Sequence, residues 1–239
     1  MVVTSGGRVA DRDGARAFDA VVFDLDGVIV DTERIVHEVW AGTFARYGCS
    51  FTLEEWSVAV GSDRGFDPFE VLAARSSVPL PPLAELQREI DREEQRLLEG
   101  LSPLPGIRAW IEGANDLGMD VAVVSSSPRP WVEGRLADVG LDRHFVVVSC
   151  RDARLAAKPA PDLYLDACAR LHVEARRAVA VEDSLHGITA ARAAGLACVG
   201  VPNTVTAGLD LFGADLLVES LDALPVAEAL RRLSERRGR

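Results

Sequence analysis

The chain has 239 residues, 48% of them hydrophobic, with a formal net charge of −11 and four cysteines. This length and apolar content can bury a substantial core, which argues against a disordered chain. The acidic balance argues against nucleic acid as a partner, because nucleic-acid-binding proteins present a basic surface. No apolar run has the length of a membrane span, and the widely spaced cysteines form no CxxC pair. We therefore expect a cytoplasmic monomer with reduced thiols and no membrane partner.

The chain begins with a polar stretch, residues 1–17, which lacks the apolar segment of a secretion signal and is predicted to be a flexible tail. After it, β-branched apolar runs alternate with helical segments, a pattern typical of a parallel sheet covered on both faces. The predicted strands are AVVFDL (20–25), DVAVVS (120–125), HFVVVS (144–149), AVAVED (178–183) and ACVGV (197–201). A sixth candidate strand, DLLVES (215–220), would extend the sheet. The sequence thus predicts an α/β fold with a Rossmann-like core.

One interval, residues 32–103, interrupts this alternation. It contains helical patterns such as ERIVHEVWAGTFARYG, DPFEVLAARS and LAELQREIDREEQRLLEG, and no convincing strand. The run Ser-Pro-Leu-Pro-Gly at 102–106 marks its far boundary. We therefore predict a small α-helical cap domain inserted after the first strand. The core would comprise residues 18–31 and 104–234, and residues 235–239 would form a C-terminal tail.

Polar residues cluster where the predicted strands end. They are Asp24 and Asp26 after the first strand, Ser125 to Ser127 after the second, Lys158 in the loop after the third, and Glu182 with Asp183 after the fourth. In parallel α/β sheets, ligands bind at the carboxyl ends of the strands. The four groups are therefore expected to form one site.

The first group suggests a metal. Asp24 and Asp26 would face the same way on an undisturbed strand and repel each other, which a cation would relieve. Two acidic clusters without histidine favour Mg²⁺ over zinc. Gly27 would let the backbone bend, so that one carboxylate meets the metal and the other a reacting group.

Each remaining group also has a structural interpretation. The serines could hold phosphate oxygens at a helix N-terminus or could simply cap that helix. Lys158 could neutralise a phosphoryl group or lie at the solvated surface. Glu182 and Asp183 could bind the metal or be acids favoured by a helix dipole.

Four stretches in this order resemble motifs of a known family: DLDGVIVDT (24–32), VVSSS (123–127), KPAPD (158–162) and VEDSLHGI (181–188). Together they are similar to the haloacid dehalogenase-like hydrolase superfamily, and most of all to its β-phosphoglucomutase-like phosphatase branch. That branch carries a helical cap just after the first motif. The ordered combination is specific although each motif alone is not.

The resemblance implies a role for each residue. Asp24 would be the nucleophile that forms an aspartyl-phosphate, and Asp26 would be the acid and base. Ser125, Ser126 and Lys158 would hold the phosphoryl oxygens. The metal ligands would be Asp24, the backbone carbonyl of Asp26, Asp183 and Glu182.

Two cap residues are candidates for substrate contact, Arg64 and His37. Arg64 lies in Gly-Ser-Asp-Arg (61–64), whereas relatives have a Gly-x-Ser-Arg turn. In the mutases of this branch a histidine stands where this chain has Val36; His37 is one position later, and a helical step of about 100° turns it away. A lysine of the mutases after the second-motif serine is replaced by Pro128.

These features predict a Mg²⁺-dependent phosphatase acting on a small phosphorylated metabolite such as a sugar phosphate. A phosphosugar mutase of the β-phosphoglucomutase type is the alternative. A phosphoacceptor signalling domain would need neither the cap nor Asp26, and dehalogenases of the superfamily typically lack the second aspartate because halide leaves without a proton.

Overall fold

The fold is described from a computed structural model, which covers residues 17–57, 60 and 66–237. Six strands form one sheet: β1 Ala20–Asp24, β2 Asp120–Pro128, β3 Val147–Arg151, β4 Ala178–Glu182, β5 Ala197–Gly200 and β6 Leu216–Leu217. Their order is β3-β2-β1-β4-β5-β6, and every neighbouring pair is parallel. This is the strand order of a Rossmann-type sheet, so the predicted fold class is confirmed.

The described α-helices follow the predicted alternation. They are α1 Thr32–Arg46, α2 Leu53–Ser57, α3 Pro68–Arg75, α4 Leu83–Leu98, α5 Ile107–Asp116, α6 Arg129–Asp138, α7 Asp162–Leu171, α8 Leu185–Ala194 and α9 Val226–Arg237. Within the described residues, none of them combines the length and the hydropathy that a membrane-spanning helix needs.

Both faces of the sheet are buried, which explains why the strands are apolar throughout. In β1, Val21 and Phe23 belong to a cluster that includes residues of α5, α6 and α9, whereas Ala20 and Val22 belong to a second cluster with residues of α7 and α8. Successive side chains of a strand point to opposite faces, so β1 supplies both layers. The end of β1 is thereby held at the centre of the sheet.

Helices α1 to α4 share a separate hydrophobic cluster, formed by Val39, Trp40, Phe44, Phe51, Leu72, Leu86 and Ile90. Aromatic pairs contribute to it: the rings of Phe44 and Phe51 stack with centroids 4.8 Å apart, and Trp40 meets Phe69 edge-on at 4.7 Å. These helices therefore have a core of their own, in the interval where the sequence contains no strand pattern.

Several element boundaries differ from the sequence prediction by a few residues. Strand β2 ends at Pro128, three residues after the predicted Ser125, β3 begins at Val147, three residues later than the predicted His144, and β6 has only two residues. Helix α9 continues to Arg237, into the segment 235–239 that was predicted to be a C-terminal tail. The guanidinium of Arg237 donates to the Arg176 carbonyl at 2.6 Å and lies over the Phe18 ring, and these contacts hold the end of the helix.

Candidate active site

Three carboxylates meet at the centre of the carboxyl edge of the sheet. Asp24 ends β1, Glu182 ends the adjacent β4, and Asp183 follows it. Carboxyl oxygens of the three residues lie within 4.8 Å of one another, and all three residues are buried. Two neighbouring parallel strands thus deliver three acids to one point.

Lys158 lies among these acids. Its ammonium group forms ion pairs with Asp24 and with Glu182, the latter at 2.6 Å. The residue is only 1% exposed, so it is not a surface lysine. Burial by itself would lower the pKa of Lys158, but the two carboxylates outweigh burial and raise it. Lys158 therefore remains a cation inside the site.

One lysine does not balance the three acids. Burial raises the pKa of Asp24 to about 8 although Lys158 acts in the opposite direction, and burial together with Asp24 and Glu182 raises the pKa of Asp183 well above its usual value. The Asp183 Oδ1 atom is buried and has no hydrogen-bond partner among the described residues. A buried carboxylate oxygen without a partner is costly. Converging hard oxygen ligands of this kind fit Mg²⁺.

Asp26 faces a different set of groups from Asp24. Strand β1 ends at Asp24, and Gly27 has a φ of +85°, a conformation that other residues rarely adopt. The Asp26 Oδ1 atom accepts hydrogen bonds from Thr32 Oγ1 at 2.7 Å and from Trp131 Nε1 at 2.9 Å. The carboxylates of Asp24 and Asp26 therefore contact different groups.

The other oxygen of Asp26 is bonded to the serines of β2. Its Oδ2 atom accepts from Ser127 Oγ at 2.9 Å and from Ser125 Oγ at 3.2 Å. The Ser126 hydroxyl instead accepts the backbone N–H of Lys158 at 3.2 Å. Asp26, the serine segment and the lysine loop are thus joined by hydrogen bonds.

The capping interpretations do not describe the observed helix ends. The serines lie in an irregular end of β2, and the residue before α6 is Pro128, which provides no side-chain cap. Helix α8 is capped by Ser184, whose Oγ accepts from the Gly187 N–H at 3.1 Å. Therefore neither the serines of β2 nor Glu182 and Asp183 cap a helix.

Tyr164 and Asn203 touch the site but were not identified from the sequence. Tyr164, in α7, donates its hydroxyl to Glu182 Oε1 at 2.5 Å. Asn203, in the loop after β5, donates to Asp183 Oδ2 at 2.6 Å. Asn203 follows a strand at the same edge of the sheet, so the rule that identified the acids could have found it. In the sequence, nothing distinguishes Tyr164 from the apolar residues of α7.

Of the two residues predicted for substrate contact, only His37 lies in the described part of the chain, and it is not among the groups that meet at this edge. His37 lies in α1 with its ring 5.7 Å from that of Phe51, and its Nε2 atom is buried without a partner among the described residues. Val36 packs against the cluster shared by α1 to α4. Arg64 lies outside the described residues. Roles for His37 and Arg64 in substrate binding stay predictions.

Fold and site together define a class of protein: a doubly wound α/β protein with buried acids at the carboxyl ends of central strands. Within this class, the sequence model of the haloacid dehalogenase-like hydrolase family matches residues 18–195. The chain belongs to this family.

Individual relatives agree with this assignment. YhcW of Bacillus subtilis (strain 168) is 37% identical over 217 residues, which is 90% of this chain and 97% of that protein. The phosphorylated carbohydrates phosphatase of Thermotoga maritima is 30% identical over 87% of this chain and 97% of its own length. The crystal structure of CbbY from Rhodobacter sphaeroides in complex with phosphate has a TM-score of 0.70 and 30% identity, and the match covers 86% of this chain and 95% of that one.

Proposed function

We propose that this protein is a Mg²⁺-dependent phosphatase that hydrolyses a small phosphorylated metabolite through an aspartyl-phosphate on Asp24. The observation that carries the proposal is the arrangement of Asp24: it is buried, ion-paired to Lys158, and close to Glu182 and Asp183, while Asp26 lies beside Ser125. A nucleophile, a cation and a separate acid/base are the groups that phosphoryl transfer requires.

In this mechanism an oxygen of Asp24 attacks phosphorus, and the bond from phosphorus to the leaving oxygen breaks. Asp26 gives its proton to that oxygen and then removes a proton from the water that hydrolyses the aspartyl-phosphate. Lys158 and the Ser125 hydroxyl would bind the phosphoryl oxygens and offset their charge. Ser126 would contribute its backbone N–H.

Asp24, Asp183, Glu182 and the backbone carbonyl of Asp26 would hold the Mg²⁺. When bound, the ion offsets negative charge on the transferred phosphoryl group and on the carboxylates around it. Glu182 also accepts hydrogen bonds from Lys158 and Tyr164, so it would orient the lysine in addition to facing the metal.

For the substrate we propose a sugar phosphate. A relative that covers most of this chain is named a phosphorylated carbohydrates phosphatase. The segment 32–103 would act as a cap that closes over the core formed by 18–31 and 104–234, which would exclude bulk water. The separate cluster of α1 to α4 supports this division. Arg64 and His37 remain the candidate cap residues for substrate contact.

Phosphate release tests the proposal. Purified protein should release phosphate from an aryl phosphate with Mg²⁺, lose this activity in EDTA and regain it when Mg²⁺ is restored. Asp24→Asn should abolish turnover, because an amide cannot act as the nucleophile. Asp120→Asn, at the opposite end of β2, is the control and should keep full activity. Mg²⁺-dependent turnover that survives in Asp24→Asn would contradict the mechanism.

A second measurement separates hydrolysis from mutase activity. The enzyme is incubated with Mg²⁺, β-glucose 1-phosphate and a trace of the 1,6-bisphosphate, and glucose 6-phosphate and phosphate are followed together. We expect water to be the acceptor, since Val36 and Pro128 stand where the mutases have a histidine and a lysine. Glucose 6-phosphate that accumulates well ahead of phosphate would overturn the assignment as a phosphatase.

A further inference from the structure

Asn203 links three segments of the chain next to the carboxylates of the candidate metal site. Its side-chain nitrogen donates to Asp183 Oδ2 at 2.6 Å and to the carbonyl oxygen of Gly27 at 3.0 Å. The loop after β5 is thereby linked to the acid that follows β4 and to the bend that follows β1.

The orientation of the Asn203 amide follows from its other contacts. Its Oδ1 atom accepts from the backbone N–H groups of Val205 at 2.9 Å and Thr206 at 3.1 Å. The Thr206 hydroxyl also lies 3.2 Å from Oδ1 and accepts the Asn203 backbone N–H at 3.0 Å. Backbone N–H groups can only donate, so the atom facing them must be the amide oxygen. The NH₂ group is therefore directed at Asp183.

There is no space for another side chain at this junction. A Cβ atom on Gly27 would lie 2.2 Å from Asp183 Oδ2 and 2.5 Å from Asn203 Nδ2. Gly27 is therefore needed for the contact between Asn203 and Asp183 as well as for the backbone bend. Asp183 has one oxygen in this contact, and the other, Oδ1, is buried without a partner among the described residues.

We propose that Asn203 is a positioning residue for the metal: by holding Oδ2 of Asp183, its amide directs Oδ1 toward the ion. This inference rests on the proposed function, which makes Asp183 a metal ligand. A donor on the second oxygen of a ligating carboxylate restricts its rotation and partly offsets its charge. Removing such a partner typically weakens metal binding by about 10- to 100-fold.

The direct test measures binding of Mn²⁺, which accepts the same oxygen ligands, by electron paramagnetic resonance of the free ion. In Asn203→Ser the hydroxyl can still accept from the loop N–H groups, but it is too short to reach Asp183. We expect its Mn²⁺ affinity to fall by about 10- to 100-fold. Thr206→Val is the matched control, because it loosens the same loop and leaves the amide of Asn203 in place. Its affinity should stay within about threefold of wild type.

The outcomes separate this inference from the proposed function. If the wild type binds no Mn²⁺, or if Asp183→Asn binds it as well as the wild type, the metal site itself is refuted. If Asp183→Asn loses binding while Asn203→Ser retains it, only the positioning role is refuted. Equal losses in Asn203→Ser and Thr206→Val would also refute it, since the integrity of the loop would then be the cause.

A measurement on the wild type does not depend on any variant folding. The chain contains two asparagines, Asn115 and Asn203, so labelling with [¹⁵N]asparagine gives two side-chain amide signals. Adding Mg²⁺ should shift the signal of Asn203 and leave that of the exposed Asn115 in place. Two unmoved signals in a sample that binds Mg²⁺ would contradict the proposal.

Discussion

The two oxygens of Asp26 are bonded to different partners, and the difference suggests which one reacts. Thr32 and Trp131 both donate to Oδ1, whereas the serines donate to Oδ2. Ser125 is also a proposed phosphate ligand, so a bound phosphoryl group would compete for its hydroxyl. In the proposed mechanism Oδ2 would therefore face the transferred group, while Thr32 and Trp131 hold Oδ1.

Trp131→Phe tests this arrangement, because it keeps the ring and removes the N–H. Loss of one hydrogen bond to the Asp26 carboxyl group, about 1.5 kcal/mol, should lower kcat about tenfold with little change in KM. Thr32→Val should act in the same direction, and Thr32→Ser, which keeps the hydroxyl, should not. The measurement is steady-state kinetics with an aryl phosphate. An unchanged kcat in Trp131→Phe would show that its N–H does not position Asp26.

At this scale the sequence identifies most of the residues at strand ends, but it misses Asn203 in the loop after β5 and the residues that reach the site from helices. Asp24 and Glu182 follow from the strand pattern alone. Trp131 and Tyr164 lie in helices, and only the tertiary packing of α6 and α7 on the sheet brings them to the acids. The amphipathic pattern of a helix specifies which face is buried but not which polar atom that face meets.

At the scale of elements, the start of α8 is hydrogen-bonded to Val60, which lies between α2 and α3 in the sequence. His186 Nδ1 lies 3.0 Å from the carbonyl oxygen of Val60, and Val60 is buried. A carbonyl oxygen only accepts, so Nδ1 carries the proton in this contact. His186 comes three residues after Asp183, so the contact links Val60 to the helix that follows the acids of β4.

Two substitutions of His186 separate this contact from general packing. The amide nitrogen of asparagine can occupy the position of Nδ1, whereas that of glutamine lies nearer to Nε2. Because a net hydrogen bond contributes about 1 kcal/mol, His186→Gln should raise KM for a sugar phosphate about fivefold. His186→Asn should stay within about twofold of wild type. Similar KM values for the two variants would show that the contact with Val60 does not affect substrate binding.

Element types were predictable where one periodicity extended over a whole segment. The strands of the sheet and helices such as α4 show this, and their boundaries move by only a few residues. Helix α2 has five residues, too few to show a helical repeat, and the sequence did not indicate it. The end of α9 depends on contacts with Phe18 and Arg176, which are distant in sequence.

At the scale of the whole molecule, electrostatic repulsion between acids extends from the core to α1. Beyond the proposed ligands, Glu33 in the first turn of α1 is a further acid that is strongly perturbed. Burial, followed by repulsion from Asp26 and Asp24, raises the pKa of Glu33 to about 8. The sequence pattern cannot anticipate this shift, because it arises only when α1 packs against the acids of the core.

The raised pKa of Glu33 predicts how stability depends on pH. The unfolded carboxyl has its ordinary value of 4.5 and the folded one a value of about 8, so the folded state binds more protons between these limits. The contribution of protonated Glu33 to the free energy of unfolding is therefore fully present below about pH 4.5 and is lost as the pH rises through about 8. Glu33→Gln cannot ionise and should escape this loss.

We therefore expect the Tm of Glu33→Gln, measured in EDTA, to rise relative to wild type between pH 5 and pH 8 and the difference to level off above that. For a chain of this size each kcal/mol corresponds to about 2–4 °C. Glu112→Gln, a substitution of an exposed acid in α5, is the control and should follow the wild-type curve. A Tm difference that stays constant with pH would mean that Glu33 titrates normally in the folded protein, and that α1 does not place its carboxyl against the acids of the core.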